Sequence, residues 1–202
     1  MPKALSEKER AYVKQRLMEE AENCLLKYGV RKTTVDELVR LVHIPKGTFY
    51  LFYESKELLF YDVLLHFHEE IQVELMERLG ALLGTVTPDA LADIIFEFYK
   101  KVESSFLYPL MMNGEIEMFM QKIPQEMVEA HAHTDDLQVE QLVQLVPNIR
   151  ADKVPHYSAA LRAIFLSMLH KREVGEQVFG DALYILIRGV VLQMFESGEE
   201  KS

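Results

Sequence analysis

The feature that most constrains this chain is a helical period that persists along nearly all of it. Apolar residues recur three and four apart: Val13, Leu17, Ala21, Cys24, Leu25 and Tyr28 in one stretch, then Leu58, Leu59, Val63, Leu64, Phe67, Ile71, Leu75 and Leu79. A third stretch has Leu91, Ile94, Ile95, Phe98 and Val102. That spacing lines one face of an α-helix. Strand-like alternation is nearly absent, so the expectation is an all-α fold. Ser6 caps the first helix and Gly29 stops it. Thr33, with Asp36 three residues on, opens a short second helix. His43-Ile44 is a tight connection. Pro45 begins a third helix, where its missing N–H costs nothing, and that helix runs to about Leu51. Ser55 caps a long fourth helix and Thr87-Pro88-Asp89 starts a fifth. Pro109 and Asn113-Gly114 punctuate the next stretch, and a helix follows through Ile116, Phe119 and Met120. Helix resumes after Pro124 to about Val146. The last two helices are expected at 156–171 and 174–196.

The period changes near Ser55, where short helices give way to long ones. This divides the 202 residues into a head, 1–54, and a body, 55–202. Charge follows a similar division. Residues 1–60 hold eleven Lys/Arg and nine Asp/Glu, whereas the remainder holds eleven against twenty-three. A mildly basic head on an acidic body suits a small module that meets nucleic acid while the body faces away. The single cysteine, Cys24, allows no intrachain disulfide and no Cys-based zinc cluster, which fits a reducing compartment. No apolar stretch follows the opening residues, so no secretory signal is expected. The most apolar late run, Ala182 to Phe195, is short and interrupted by Arg188 and Gln193, so no membrane partner is expected. The expected location is cytoplasmic.

Three helices in about 45 residues can enclose a small core of Leu17, Ala21, Leu25, Val35, Leu38, Val39, Ile44 and Phe49. Only two to four residues join the second helix to the third. That is the spacing of a helix-turn-helix, whose second helix enters a major groove about 12 Å wide. Lys46, Thr48 and Tyr50 lie on the third helix, and no carboxylate occurs from Leu38 to Tyr53. Lys46 can donate to guanine or to a phosphate. Thr48 can bond a phosphate or touch a thymine methyl, and Tyr50 can reach a phosphate. Gly47 leaves room for close approach. The competing reading is that Tyr50 and Phe52 merely pack against the fourth helix.

Residues 16–59 resemble the N-terminal domain of the TetR family of bacterial transcriptional regulators. Ala21, Cys24-Leu25 and Gly29 match the pattern of its first helix. Thr33-Thr34-Val35-Asp36-Glu37-Leu38 matches the Thr-Thr pair that opens its second. The run Gly47-Thr48-Phe49-Tyr50-Leu51-Phe52-Tyr53-Glu54-Ser55-Lys56-Glu57-Leu58-Leu59 matches its most specific segment. Leu41 and His43 depart from the usual Ala and Gly, Phe52 from the usual Tyr or His, and Tyr53 from Phe. A His accepts positive φ more readily than most residues. The resemblance implies that Thr33 and Thr34 lie near the phosphate backbone. It implies that Lys46, Gly47, Thr48 and Tyr50 face double-stranded DNA, and that Lys56 holds a phosphate.

A single helix-turn-helix makes few contacts, so a homodimer on two half-sites is expected. In the resembled family the last two helices form the interface. The residues expected there are Leu161, Phe165, Met168, Leu183, Ile187, Val190, Val191 and Met194, with Gly180 and Gly189 permitting close approach. The alternative is that these residues complete the monomer core. Phe67, Ile95, Phe98, Tyr99, Phe106, Met111, Met112 and Phe119 can line an adaptable apolar cavity for a small-molecule effector, or simply fill the core. His66 and His68 point to different faces of their helix, as do His131 and His133 unless fraying brings them to Asp135. No metal site follows from these, and no cofactor is expected. Spacing alone proposes no catalytic set, which leaves an enzyme site assembled from distant side chains as a third alternative. The leading expectation is a ligand-responsive transcriptional repressor on a palindromic operator, not an enzyme. The alternative is a helical ligand-binding or scaffolding protein without specific DNA binding.

Overall fold

A computed structural model describes residues 5–82, 86–130 and 151–196. Helix α1 (Glu7–Lys32) opens on a reciprocal cap. The Glu9 amide donates to Ser6 Oγ at 3.3 Å, and the Ser6 amide donates to the Glu9 carboxylate at 2.8 Å. Two of the four amides that a helix start leaves without partners are thereby satisfied. Its buried stripe is Val13, Leu17, Ala21, Cys24 and Leu25, which is the stripe read from the sequence. Gly29 breaks the helix at φ 75° and ψ −177°, but one further turn follows to Lys32. The sequence expected a stop there; the structure makes a kink.

Helix α2 (Val35–Val42) is capped by Thr34, whose Oγ accepts from the Glu37 amide at 3.2 Å. The cap is thus Thr34, one residue later than the sequence suggested. Thr33 is fully buried, and its hydroxyl donates instead to the Gly29 carbonyl at 2.8 Å. At the other end of α2, His43 is left-handed (φ 59°, ψ 43°), and the Ile44 amide donates to the Val39 carbonyl at 3.0 Å. This is a Schellman closure with His in the place glycine usually holds. Pro45 then caps α3 (Lys46–Phe49), a single turn anchored by the fully buried Phe49.

Helix α4 (Lys56–Ala81) starts with the Leu58 amide on Ser55 Oγ at 3.2 Å. Helix α5 (Pro88–Ser104) starts with the Ala90 amide on Thr87 Oγ at 3.2 Å. Short α6 (Leu107–Met112) and α7 (Glu115–Met120) flank a left-handed Gly114. Helix resumes over 125–130, as α8. Beyond it come α9 (Val154–Ser167), a 3-10 turn at Met168–His170, the single-turn α10 (Lys171–Val174), and α11 (Phe179–Glu196). The last helix begins at Phe179 rather than 174, because Gly175 takes φ 120° and turns the chain out of helix.

The chain divides into two compact units. The first holds residues 1–69 and 102–128, so the three head helices share a unit with the start of α4 and with α6 and α7. Its core includes Leu17, Leu25, Leu38, Phe49, Leu59, Phe60, Leu110 and Phe119. The second holds 70–101 and 129–202, with α9 packed on α11. Its core includes Leu91, Ile95, Tyr99, Ile164, Leu183, Ile187, Val191 and Met194. No helix among the described residues is long and apolar enough to cross a membrane.

Candidate nucleic-acid interface

The site is built by the closure of α2 and the anchor of α3. The left-handed His43 reverses the chain, Pro45 fixes φ at the start of α3, and Phe49 buries the inner side of its one turn. What remains faces outward. Lys46, Gly47 and Tyr50 are exposed, with Tyr50 at 51%, and Thr48 is half-buried. A Cβ added at Gly47 would meet nothing within 4 Å, so the surface there is open. Tyr50 lies edge-on to Phe49 at 5.4 Å. The ring is therefore braced at its base while its hydroxyl end stays in solvent.

Lys46 is not idle. Its ammonium pairs with Asp36 at 2.9 Å, and that hydrogen bond holds it above the usual lysine range. Both partners are well exposed. Solvent screens such exposed pairs, so they contribute little and Asp36 can be displaced at little cost. Tyr53 behaves differently. It is buried, and its hydroxyl donates to Asp62 at 2.6 Å; burial first, and then that bond, push its phenol well above the usual range. It stays protonated and fixes the turn after α3 to α4.

The structure separates the remaining expected contacts. Thr34 is exposed at the helix start. Thr33 is enclosed, with its hydroxyl on Gly29, so its side chain has no route to a phosphate. Lys56 also turns inward. Its ammonium donates to the carbonyls of Val30 (2.8 Å) and Thr33 (2.7 Å) and lies over the Phe60 ring at 5.8 Å. Burial pulls it below the usual lysine range. It closes the carbonyl end of α1, a role that the spacing does not reveal. The amide that the Gly29 break leaves open, on Val30, donates to the Glu115 carboxylate of α7 at 2.5 Å. Spacing also gave no sign of Arg10. Its guanidinium carbon lies 5.0 Å from the centre of the Phe52 ring, and one N–H reaches the Leu51 carbonyl at 3.5 Å.

Of the residues expected around an effector, Phe67, Phe106 and Phe119 are buried in the first unit, with Phe67 edge-on to Phe106 at 5.4 Å. Met111 is half-buried and Met112 exposed. In the second unit Ile95 and Tyr99 are buried, and Phe98 is half-buried. The Tyr99 hydroxyl donates to the Leu161 carbonyl at 2.7 Å. Among the expected interface residues, Met168, Leu183, Ile187, Val191 and Met194 are core within the chain itself. Leu161, Phe165 and Val190 are half-buried. The reason is helical phase. Positions 183, 187, 191 and 194 form one stripe that turns inward, and the outward apolar residues of α11 are Ile185 and Leu186. His131, His133 and Asp135 lie outside the described residues; among the described ones, no group of three His, Cys, Asp or Glu side chains is placed to hold a metal ion.

Residues 17–63 match the family model described as "Bacterial regulatory proteins, tetR family". The match runs from the core of α1 through the helix-turn-helix into α4. Over these residues the head is similar to the tetR family. No curated protein sequence matches the chain. Solved structures extend the likeness beyond the head. One is a Mesorhizobium loti protein assigned to the TetR family of transcriptional regulators (TM-score 0.69, 12% identity, 92% of this chain and 96% of that one). Another is RolR in complex with resorcinol (TM-score 0.53, 16% identity, 97% of each chain). A third is NalD, the secondary repressor of the MexAB-OprM multidrug efflux pump in Pseudomonas aeruginosa (TM-score 0.53, 17% identity, 93% and 97%). At these identities the likeness is one of fold.

Proposed function

We propose that the chain is a ligand-responsive transcriptional repressor that binds a palindromic operator as a homodimer. The observation that carries this reading is the outward face of α3 and of the residue that caps it, Tyr50. Lys46, Gly47 and Tyr50 are presented to solvent by a turn whose inner side is pinned by Phe49. Lys46 serves a base edge or a phosphate, Thr48 and Tyr50 serve phosphates, and Thr34 adds a contact at the start of α2. Thr33 and Lys56 act from behind, by holding the end of α1 and the start of α2. Pairing of two chains is supported by the exposed Ile185 and Leu186 of α11 and Leu166 of α9. The effector is proposed to bind in the helical body. The resorcinol bound by RolR, a protein of similar fold, supports a small-molecule occupant.

Site selection from a randomised duplex library with the purified protein tests the reading. The expected product is an inverted repeat whose half-sites are centred about one DNA turn apart. Affinity for that duplex should fall steeply with salt. Recovery of no motif, together with Tyr50→Ala leaving duplex binding unchanged, would favour a helical protein without specific DNA binding.

A further inference from the structure

We infer that Arg10 contacts a DNA phosphate beside the recognition helix, supplying the polar group that Phe52 lacks; the inference rests on the DNA-binding reading above. Phe52 stands where the resembled family carries Tyr or His, and a phenyl ring has nothing to offer a phosphate oxygen. Arg10 comes from the first turns of α1, forty-one residues before Leu51, yet it lies against this segment. Its guanidinium sits over the half-buried Phe52 ring at 5.0 Å and donates to the Leu51 carbonyl at 3.5 Å. Tyr50 and Leu51, which follow α3 directly, are exposed. A cation from one end of α1 is thereby held next to the C-terminal end of α3.

The manner of holding leaves the charge usable. Stacking on a ring face orients a guanidinium without consuming its donors, and the carbonyl engages one N–H of five. The remaining edge is planar and suits two phosphate oxygens. Pre-stacking reduces the ordering cost of making that contact. Four other cations of the head are tied differently: Lys14 to Asp62, Arg16 to Glu19 and Glu20, Lys46 to Asp36, Lys56 to backbone carbonyls. The segment Arg10 lies against carries no carboxylate from Leu38 to Tyr53. Glu9, its neighbour in sequence, is engaged by the Ser6 amide and hydroxyl at 2.8 and 2.7 Å.

The test is fluorescence anisotropy on the selected duplex and on a scrambled duplex, from low to moderate salt, for wild type, Arg10→Ala, Arg10→Lys and Arg10→Ala/Phe52→Tyr. A phosphate contact is blind to sequence, so Arg10→Ala should weaken both duplexes by a similar factor, roughly five- to tenfold. It should also reduce the slope of log K against log salt by about 0.9. Arg10→Lys should recover the slope but only part of the affinity. Tyr at position 52 should recover affinity in the Arg10→Ala background. Circular dichroism melting confirms that each variant is folded. If wild type selects its duplex and Arg10→Ala binds within twofold with an unchanged slope, the inference is overturned while the regulator reading stands. If wild type shows no duplex selectivity, both fall.

Discussion

Gly29 and Thr33 show how a residue of the helix-turn-helix motif can support its exposed face without being part of that face. At φ 75° and ψ −177°, Gly29 occupies backbone space that only glycine enters freely. A Cβ there would also sit 2.6 Å from a Glu115 carboxylate oxygen. Gly29→Ala should therefore cost about 1–3 kcal/mol in urea unfolding, through strain and through loss of the Glu115 contact to the Val30 amide. Thr33→Val keeps the shape but removes the bond to the Gly29 carbonyl. It should cost about 1 kcal/mol and leave the affinity of the folded protein for DNA near wild type. Tyr50→Ala should do the opposite. Its ring is half in solvent, so the melting temperature should hardly move, while anisotropy on the selected duplex reads a loss of tenfold or more. The sequence places Tyr50 and Thr33 in the same motif. Only their burial tells which is open to solvent and which supports the residues that are.

Two elements carry the head's geometry, the closure of α2 and the start of α4. His43 was legible as a turn residue from its place between two short apolar patterns, and its left-handed conformation follows from the Schellman bonds around it. A β-branched residue at that position pays heavily for positive φ. His43→Val should lower unfolding stability by ~1–2 kcal/mol, and His43→Gly should match or exceed wild type. At the start of α4, the buried Glu57 pairs with Lys122 at 2.6 Å. Burial alone would push its carboxyl up, but the bond and charge of Lys122, with Lys56 nearby, carry it below the usual range. A carboxyl lower in the folded than in the unfolded state adds stability that is present above its unfolded value, about 4.3. That stability is lost as pH falls through the folded value. Denaturation followed from pH 7 to pH 3 should show this loss, and Glu57→Gln should flatten it. No spacing rule pairs Glu57 with a lysine sixty-five residues away.

At the scale of the whole molecule, the division of α11 between inside and outside decides what can assemble. Ile187 is fully buried and Ile185 is 69% exposed, although the sequence offers them as equals two residues apart. Ile187→Ala opens a cavity and should cost ~2–4 kcal/mol of stability. Ile185→Asp should leave the fold intact but shift sedimentation from dimer to monomer and weaken operator binding in step. The reverse outcome would assign the interface to another face. What the sequence determined by itself was the all-α class, the caps at Ser6 and Ser55, and the helix-turn-helix with Lys46 and Gly47 on its last helix and Tyr50 just past its end, although the spacing runs that helix on to about Leu51. These are local properties, set by period, capping chemistry and short loops. Tertiary structure decided which stripe of α11 turns inward, that Lys56 and Thr33 close the end of α1, and that Glu115 and Arg10 reach elements far from them in the chain. Those choices depend on contacts between distant segments, and periodicity within a single helix carries no information about them.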